Sequence, residues 1–151
     1  MKHKVVATNR KAARDYFLGD RFEAGLVLKG SEIKSIRAGK MSLAEAFVQI
    51  DDLEAWLVDA HVAPYEKSSI FNHDPRRPRK LLLHRREINR LWGEVSRKGT
   101  TIIPTRVYLK SGRAKVEIAV ARGKKQYDKR QAIAKRDTER EIERQFRRRN
   151  R

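Results

Sequence analysis

Apolar and polar positions in this chain alternate with two periods, and a change of period marks where one element gives way to the next. In RAKVEIAVAR (113–122), Ala114, Val116, Ile118 and Val120 project to one side of a strand, and Lys115, Glu117 and Ala119 to the other. TTIIPTRVYLK (100–110) predicts the preceding strand, joined to it around Ser111-Gly112. SLAEAFVQID (42–51) and LEAWLVDAHV (53–62) predict two more, meeting near Asp51-Asp52 without the glycine expected of a tight hairpin. FEAGLVLKG (22–30) predicts the earliest strand. The helical period governs LLLHRREINRLWGEVSRKG (81–99), where Leu83, Glu87, Ile88, Leu91, Trp92 and Val95 share one face and Gly99 closes the helix. KAARDYFL (11–18) predicts a short helix stopped by Gly19-Asp20. SEIKSIRAGK predicts one or two helical turns, with Ser31 as N-cap, Ile33 and Ile36 three apart, and Gly39 at the C-terminal cap.

Two stretches carry no period. Residues 1–10 are polar and basic and are expected to be loose. PYEKSSIFNHDPRRPRK (64–80) holds three of the four prolines and predicts a long loop, of a length that is usually functional or mobile. Five strands with a helix before the last two predict a mainly β fold, an OB-type closed antiparallel barrel with flanking α-helices. That scaffold suits oligonucleotides, but a fold alone does not establish a function.

Charge sharpens the picture. The 151 residues include 37 Lys and Arg against 19 Asp and Glu, a formal net charge of +18, and 37% of residues are charged where about 25% is usual. Such a chain repels itself unless a polyanion accompanies it, and nucleic acid is the leading candidate, with an anionic membrane surface as the other. The charge is spread over the chain: residues 122–151 carry thirteen basic and five acidic residues, and the rest of the excess lies on the body. The last thirty residues hold only Ile133, Ile142 and Phe146 as large aliphatic or phenyl groups, too few for a core. The predicted organisation is therefore an RNA-binding domain over 1–122 and a basic tail over 123–151, disordered when free. REIERQF in that tail, with Glu–Arg pairs and Ile142 and Phe146 four apart, suits a helix formed on a partner.

Absent cysteine excludes disulfides, thiolate catalysis and cysteine-based zinc sites. MKHKVVATNRKAARDYF lacks the apolar core of a signal peptide, and no stretch approaches the roughly 18 apolar residues of a membrane span. The expectation is a soluble cytoplasmic protein, monomeric when free, with no membrane partner, cofactor or metal.

Enzyme chemistry finds little support. His84 and Glu87 have a metal-ligand spacing on the predicted helix, but no second pair accompanies them. His73-Asp74-Pro75 suits a turn better than a base and its orienter, and Asp51-Asp52 suits a turn better than a catalytic dyad. GxGxxG, P-loop and GxSxG motifs are missing, as is the acidic cluster of a metal-dependent nuclease. Nucleic-acid chemistry fits better. Arg76, Arg77, Arg79 and Lys80 form one basic cluster, and Lys124, Lys125, Lys129 and Arg130 another. Tyr65 precedes the first and Tyr127 sits inside the second, as phosphate contacts with stacking aromatics require. Glu23 suits either a hydrogen bond from a base edge or 2′-hydroxyl, or a salt bridge to a nearby arginine.

NRKAARDYF, FEAGLVLKGSEIKSIRAGK, NHDPRRPRKLLLHRREI and VYLKSGRAKVEIAVARGKKQYDKR occur in that order, followed by a basic tail. From about Asn9 to Arg130 the chain closely resembles the SmpB family, the SsrA-binding proteins of bacterial trans-translation. SLAEAF and the Asp51-Asp52 turn depart from more usual family residues, outside any binding motif. The resemblance implies a non-enzymatic protein that binds the tRNA-like domain of transfer-messenger RNA (SsrA RNA). It would deliver that RNA to ribosomes stalled on messages lacking a stop codon, for rescue and peptide tagging. It implies Asn9, Glu23 and Leu82 on the RNA-binding face, with the basic Arg79 and Lys80 beside Leu82. It further implies that the GKK…DKR segment meets 16S ribosomal RNA in the decoding region of the small subunit. There Tyr127 would stack, flanked by Lys124, Lys125, Asp128, Lys129 and Arg130. The tail, with Lys135, Arg136, Arg140, Arg144, Arg147 and Arg148, would lie as a helix in the vacant mRNA channel. Two alternatives remain beside it: a generic OB binder of single strands, and a metal-dependent nuclease.

Overall fold

A computed structural model describes residues 3–65 and 72–124. The described chain runs β1 (His3–Thr8), α1 (Arg10–Asp15), β2 (Tyr16–Leu26), α2 (Gly30–Arg37), β3 (Met41–Ser42), β4 (Phe47–Asp51), β5 (Glu54–Val58), β6 (His61–Val62), β7 (Arg79–Leu82), α3 (Arg85–Val95), β8 (Thr100–Lys110) and β9 (Arg113–Gly123). Every pairing is antiparallel. Going round, β8, β4, β5, β7, β2 and β9 are successive neighbours, and β9 pairs back to β8, which closes the ring. β1 runs along the second half of β8, and β3 pairs with β6 outside the ring.

The closed barrel matches the OB-type expectation, with one more strand in its ring than the five predicted. The extra strand is β7. Arg79-Lys80-Leu81-Leu82 continues smoothly into a helical pattern, so its strand character is invisible locally. It forms because Leu81 finds Ala55 on one side and Leu26 on the other. The predicted 64–80 loop thus loses its last two residues to a strand, and the helix predicted from 81 starts at Arg85. β1 was expected to be loose, yet its Val6 and Ala7 pack on the core. The short helix α1 ends before Tyr16, because Tyr16, Phe17 and Leu18 pair with Gly123, Arg122 and Ala121 of β9. Gly19-Asp20 marks a shift of register within β2 in place of a helix stop. The two ten-residue strands predicted around Asp51 are trimmed to five residues each.

The interior follows the alternation. Val116 and Ile118 of β9 are buried with Val107, Ile102, Leu57, Leu81 and Val48 from facing strands, and Ala114 is buried as well. Farther along, Ala119 and Ala121 are buried as well, contrary to the simple inside–outside expectation. There the second face of the sheet is covered by α1, whose Ala12 packs with Ile103 and Ala121. Helix α3 lies against β8 and β4 and buries Ile88 and Leu91. Its capping box is set by Glu87, which accepts the His84 backbone N–H at 3.0 Å. Pro104 sits in β8 at a register shift, where the ladder can spare its missing N–H.

One polar group lies at the heart of the fold. Glu32 and Arg79 are both fully buried. The Arg79 Nε–H donates to Glu32 Oε2 at 2.5 Å, Nη1 to the Ala60 carbonyl at 2.8 Å, and Nη2 to the Pro75 carbonyl at 3.2 Å. Glu32 Oε1 accepts from Arg77 Nη2 at 2.5 Å and from the Lys29 backbone N–H at 2.7 Å. Burial pushes the Glu32 carboxyl up, but the hydrogen bonds from Arg77, Lys29 and Arg79 outweigh it and hold the group below its ordinary value. Nearby, His73 Nε2 bonds the Val62 carbonyl at 2.9 Å. That contact requires a proton on Nε2, and Nδ1 hydrogen-bonds the Ser31 hydroxyl at 2.8 Å. Ser31 therefore serves this contact in place of the predicted N-cap, which Lys29 occupies. Gly39, with φ of 75°, ends α2 as predicted, and the Gly39 and Lys40 N–H groups close a Schellman-type turn onto Ile36 and Ser35.

Removing Arg79 leaves the buried Glu32 carboxylate with only Arg77 and the Lys29 N–H, and takes the side-chain donor from the Ala60 and Pro75 carbonyls. Arg79→Ala is expected to destabilise the fold by about 3–5 kcal/mol, read as a lower urea midpoint. Lys80→Ala, one residue along and facing out, is expected to stay within about 1 kcal/mol. Equal midpoints for the two variants would refute the structural role of Arg79.

Candidate nucleic-acid interface

Strand alternation places β7 with Arg79 and Leu81 inward and Lys80 and Leu82 outward. Beside it, β2 presents Glu23 and β9 presents Lys115, while Leu82 and Lys115 both pair with the buried Gly25. A Cβ at Gly25 would stand 3.4 Å from Leu82 Cβ and 3.6 Å from Lys115 Nζ, so the bare backbone here lets the two side chains approach one another. The start of α3 adds His84 and Arg85. Together these residues line an open groove of about 690 Å³, with the β4–β5 turn on its rim.

Glu23 is the most constrained group in the groove. Its Oε2 accepts the Tyr108 hydroxyl and its Oε1 lies 3.5 Å from Lys110 Nζ. The Tyr108 hydrogen bond holds the Glu23 carboxyl below its ordinary value against the opposing effect of burial, and Lys110 and Lys115 add lesser contributions in the same direction as Tyr108. Tyr108 is driven upward, first by burial and then by the carboxylate it serves, so its hydroxyl remains a donor. The Arg106 guanidinium lies 5.4 Å from the centre of the Tyr108 ring. Of the two roles left open for Glu23, no arginine salt bridge is found among the described residues: its partners there are a tyrosine and a lysine. An ionised carboxylate offers about four acceptor positions, so Glu23 keeps capacity for a donor arriving from the groove.

The charge around this groove is mixed. Lys80, Lys115 and Arg85 face it, but so do Asp52, Glu54 and Glu87, and Lys80 Nζ lies 3.5 Å from Glu54. Such a surface selects by individual donors, acceptors and apolar contacts more than by bulk attraction for phosphate.

The predicted site residues therefore divide. Glu23, Lys80 and Leu82 converge on the groove, and Leu82 is 56% exposed despite its apolar side chain. Arg79 does not join them: its guanidinium is consumed inside the fold. Asn9 lies on a separate depression of about 600 Å³, lined also by Lys11, Tyr16, Thr101 and Gly123. There it caps α1, with Oδ1 accepting the Ala12 N–H at 3.3 Å and Nδ2 donating to the Pro104 carbonyl at 2.9 Å. Its backbone N–H donates to the carbonyl of Thr105, whose hydroxyl reaches Glu117, the register partner of Glu23. Asn9 is thus linked to the groove through two strands. Lys124 donates to the Ala13 carbonyl at 3.2 Å and lies 5.4 Å from the centre of the Phe17 ring. Lys125, Tyr127, Asp128, Lys129, Arg130 and the tail residues Lys135, Arg136, Arg140, Arg144, Arg147 and Arg148 lie outside the described residues, as does the predicted state of the tail.

Sequence reasoning missed Tyr108 and Lys115 as parts of the site. Lys115 carried the right signal, a lysine on the outward phase of β9. Tyr108 carried none, since its role depends on reaching Glu23, 85 residues away in the chain. Among the described residues, no group of three or more His, Cys, Asp or Glu is placed to hold a metal ion, and no helix is long and apolar enough to cross a membrane. Arg76 and Arg77 surround a turn that Asp74 starts, its Oδ1 accepting the Arg76 N–H at 2.9 Å.

Comparison with known proteins places this geometry. The family model described as "SmpB protein" matches residues 6–148. A protein of Chloroflexus aggregans named "SsrA-binding protein" is 62% identical over 146 residues, covering 96% of this chain and 92% of that relative. One of Roseiflexus sp. (strain RS-1), with the same name, is 60% identical over 149 residues, covering 98% and 94%. A solved structure described as "tmRNA-SmpB: a journey to the center of the bacterial ribosome" matches with a TM-score of 0.67 and 48% identity, over 78% of this chain and 82% of that one.

Tyr108→Phe removes the strongest influence holding Glu23 ionised. Its carboxyl is expected to titrate at higher pH than in the wild type, moving back toward 4.5, as followed by side-chain NMR. An unmoved titration would mean that the tyrosine does not hold the Glu23 carboxyl below its ordinary value.

Proposed function

The chain belongs to the SmpB family, and from that premise we propose that it binds the tRNA-like domain of transfer-messenger RNA and delivers that RNA to stalled ribosomes for trans-translation. It acts as a binding protein and not as an enzyme, in the cytoplasm where ribosomes work. Its partners are transfer-messenger RNA and the small ribosomal subunit with its 16S RNA.

The groove around Glu23 is the observation that supports this most directly. Glu23, its carboxyl held below its ordinary value, is an acceptor for a base N–H or a 2′-hydroxyl, and the 2′-hydroxyl distinguishes RNA from DNA. Leu82 offers an apolar surface beside it, and Lys80, Lys115 and Arg85 can meet the flanking phosphates. Arg79 contributes by holding β7 in register, and Asn9 by seating α1 on β8. The remaining positive charge attracts RNA without choosing its sequence.

The second half of the proposal concerns residues 123–151. The segment Lys124, Lys125, Tyr127, Asp128, Lys129 and Arg130 contacts ribosomal RNA in the decoding region, with Tyr127 stacking on a base. The rest of the tail, of net charge +8 from Arg122 onward, follows the phosphate-lined mRNA channel. Ordering it costs free energy that only the bound state repays. Message and tail cannot share one path, so a vacant channel is what the tail detects.

Competition binding at about 150 mM salt, where exposed charges are partly screened, tests the first half. Bulk tRNA and single-stranded DNA are expected to displace labelled transfer-messenger RNA poorly, and Glu23→Ala to weaken its binding about tenfold or more without unfolding the barrel. Equal displacement by all competitors would indicate a generic OB binder. For the second half, truncation after Lys124 keeps every described element. The truncated protein is expected to bind the RNA nearly as well as the full chain but to support no peptide tagging on stalled ribosomes. Tagging at the wild-type level by the truncated protein would remove the tail from the mechanism.

A further inference from the structure

Among the described residues, four non-glycine residues have positive φ: Asp52 (48°), Leu53 (60°), Asp59 (60°) and Ser111 (51°). Three of them are small polar turn residues, which enter the left-handed region with local hydrogen bonding to offset the strain. Leu53 has no such means. Its Cβ crowds the following carbonyl, and burial offers no compensation, because the side chain is 42% exposed and belongs to neither apolar cluster. The turn is imposed from outside: Asp51 pairs with Glu54, and the ladder back to Phe47 and Val58 leaves only Asp52 and Leu53 to reverse the chain.

The strained residue also lies at a particular place. Pairing of Ala55 with Leu81 carries the turn alongside the end of β7. Leu53 lines the groove that Glu23, Lys80, Leu82, Arg85 and Lys115 line. Two leucines, each roughly half exposed, therefore stand on one groove among cations and a carboxylate.

We propose that Leu53 is a contact residue of the RNA groove. With Leu82 it forms an apolar shelf for the face of a nucleobase or ribose, while Lys80, Lys115 and Arg85 meet the adjoining phosphates and Glu23 accepts an N–H or 2′-hydroxyl. Strain carried by a ligand-facing residue is the trade that functional sites make against stability. The inference rests on the groove reading above and adds a residue to it, one that neither the resemblance nor the basic clusters pointed to.

Glycine enters the left-handed region freely, so Leu53→Gly separates folding from binding. Full-length protein carrying Leu53→Gly, Leu53→Met, Leu82→Ala or Glu23→Ala is titrated with transfer-messenger RNA at about 150 mM salt, with thermal unfolding measured in parallel. Leu53→Gly is expected to unfold at the wild-type temperature or above it, yet to bind about five- to tenfold more weakly. Leu53→Met is expected to bind like the wild type. Undiminished binding by Leu53→Gly, with Leu82→Ala and Glu23→Ala impaired, overturns the Leu53 proposal and leaves the groove standing. Undiminished binding by all three overturns the groove and this proposal together. A fall in both unfolding temperature and affinity for Leu53→Gly makes Leu53 a structural residue and overturns the proposal as well.

Discussion

The buried contact between Glu32 and Arg79 is the constraint on which the rest of the molecule depends. Six hydrogen bonds made or accepted by these two side chains join α2, the chain before β6, the 74–78 turn and β7. Taking two charges out of water is costly, and a hydrophobic pair of equal volume is often as stable. What the ion pair adds is direction. Arg79 can satisfy its fork only with β7 in one register, and a one-residue slip would turn Lys80 and Leu82 into the barrel. The interior thereby decides what the exterior displays.

That exterior separates two physical tasks. Long-range attraction comes from a charge of +18 distributed over the whole chain. Selection belongs to a groove whose charges nearly balance, where one carboxylate accepts the hydroxyl of a buried tyrosine and where two leucines stay in water. Exposed apolar groups are costly in the free protein, and they become favourable against a ligand that supplies an apolar face. Strain at Leu53 belongs to the same economy: the free fold carries a local cost at its binding surface, and the closed β ladder around it holds that cost in place.

Particular residues show how far the sequence could be followed. The β8–β9 hairpin was predictable because its information is local: period-two apolar residues on both strands and Ser111-Gly112 between them, which adopt positive φ at 51° and 77°. Gly39 announced the end of α2 for the same reason. The motifs carrying the family resemblance led to Glu23, Lys80 and Leu82, and the structure brings these three to one groove. Arg79 misled, since a basic residue in a basic run reads as surface until its partner 47 residues earlier is known. Tyr16 to Leu18 misled as well: their spacing fits a helix, but β9 offers them a ladder.

By itself the sequence determined the elements whose signals lie within a few residues of one another, the excess of positive charge and the membership of a family. Periodicity, turn chemistry and composition are short-range properties, and the chain carries them in any conformation. Only the tertiary structure decided that β7 closes the ring, that Arg79 faces inward, that Tyr108 hydrogen-bonds Glu23 and that Leu53 stands on the rim of the groove. Each of those depends on a partner distant in sequence. The contact exists only when the barrel closes, and the free energy of that closure outweighs what each segment would prefer alone.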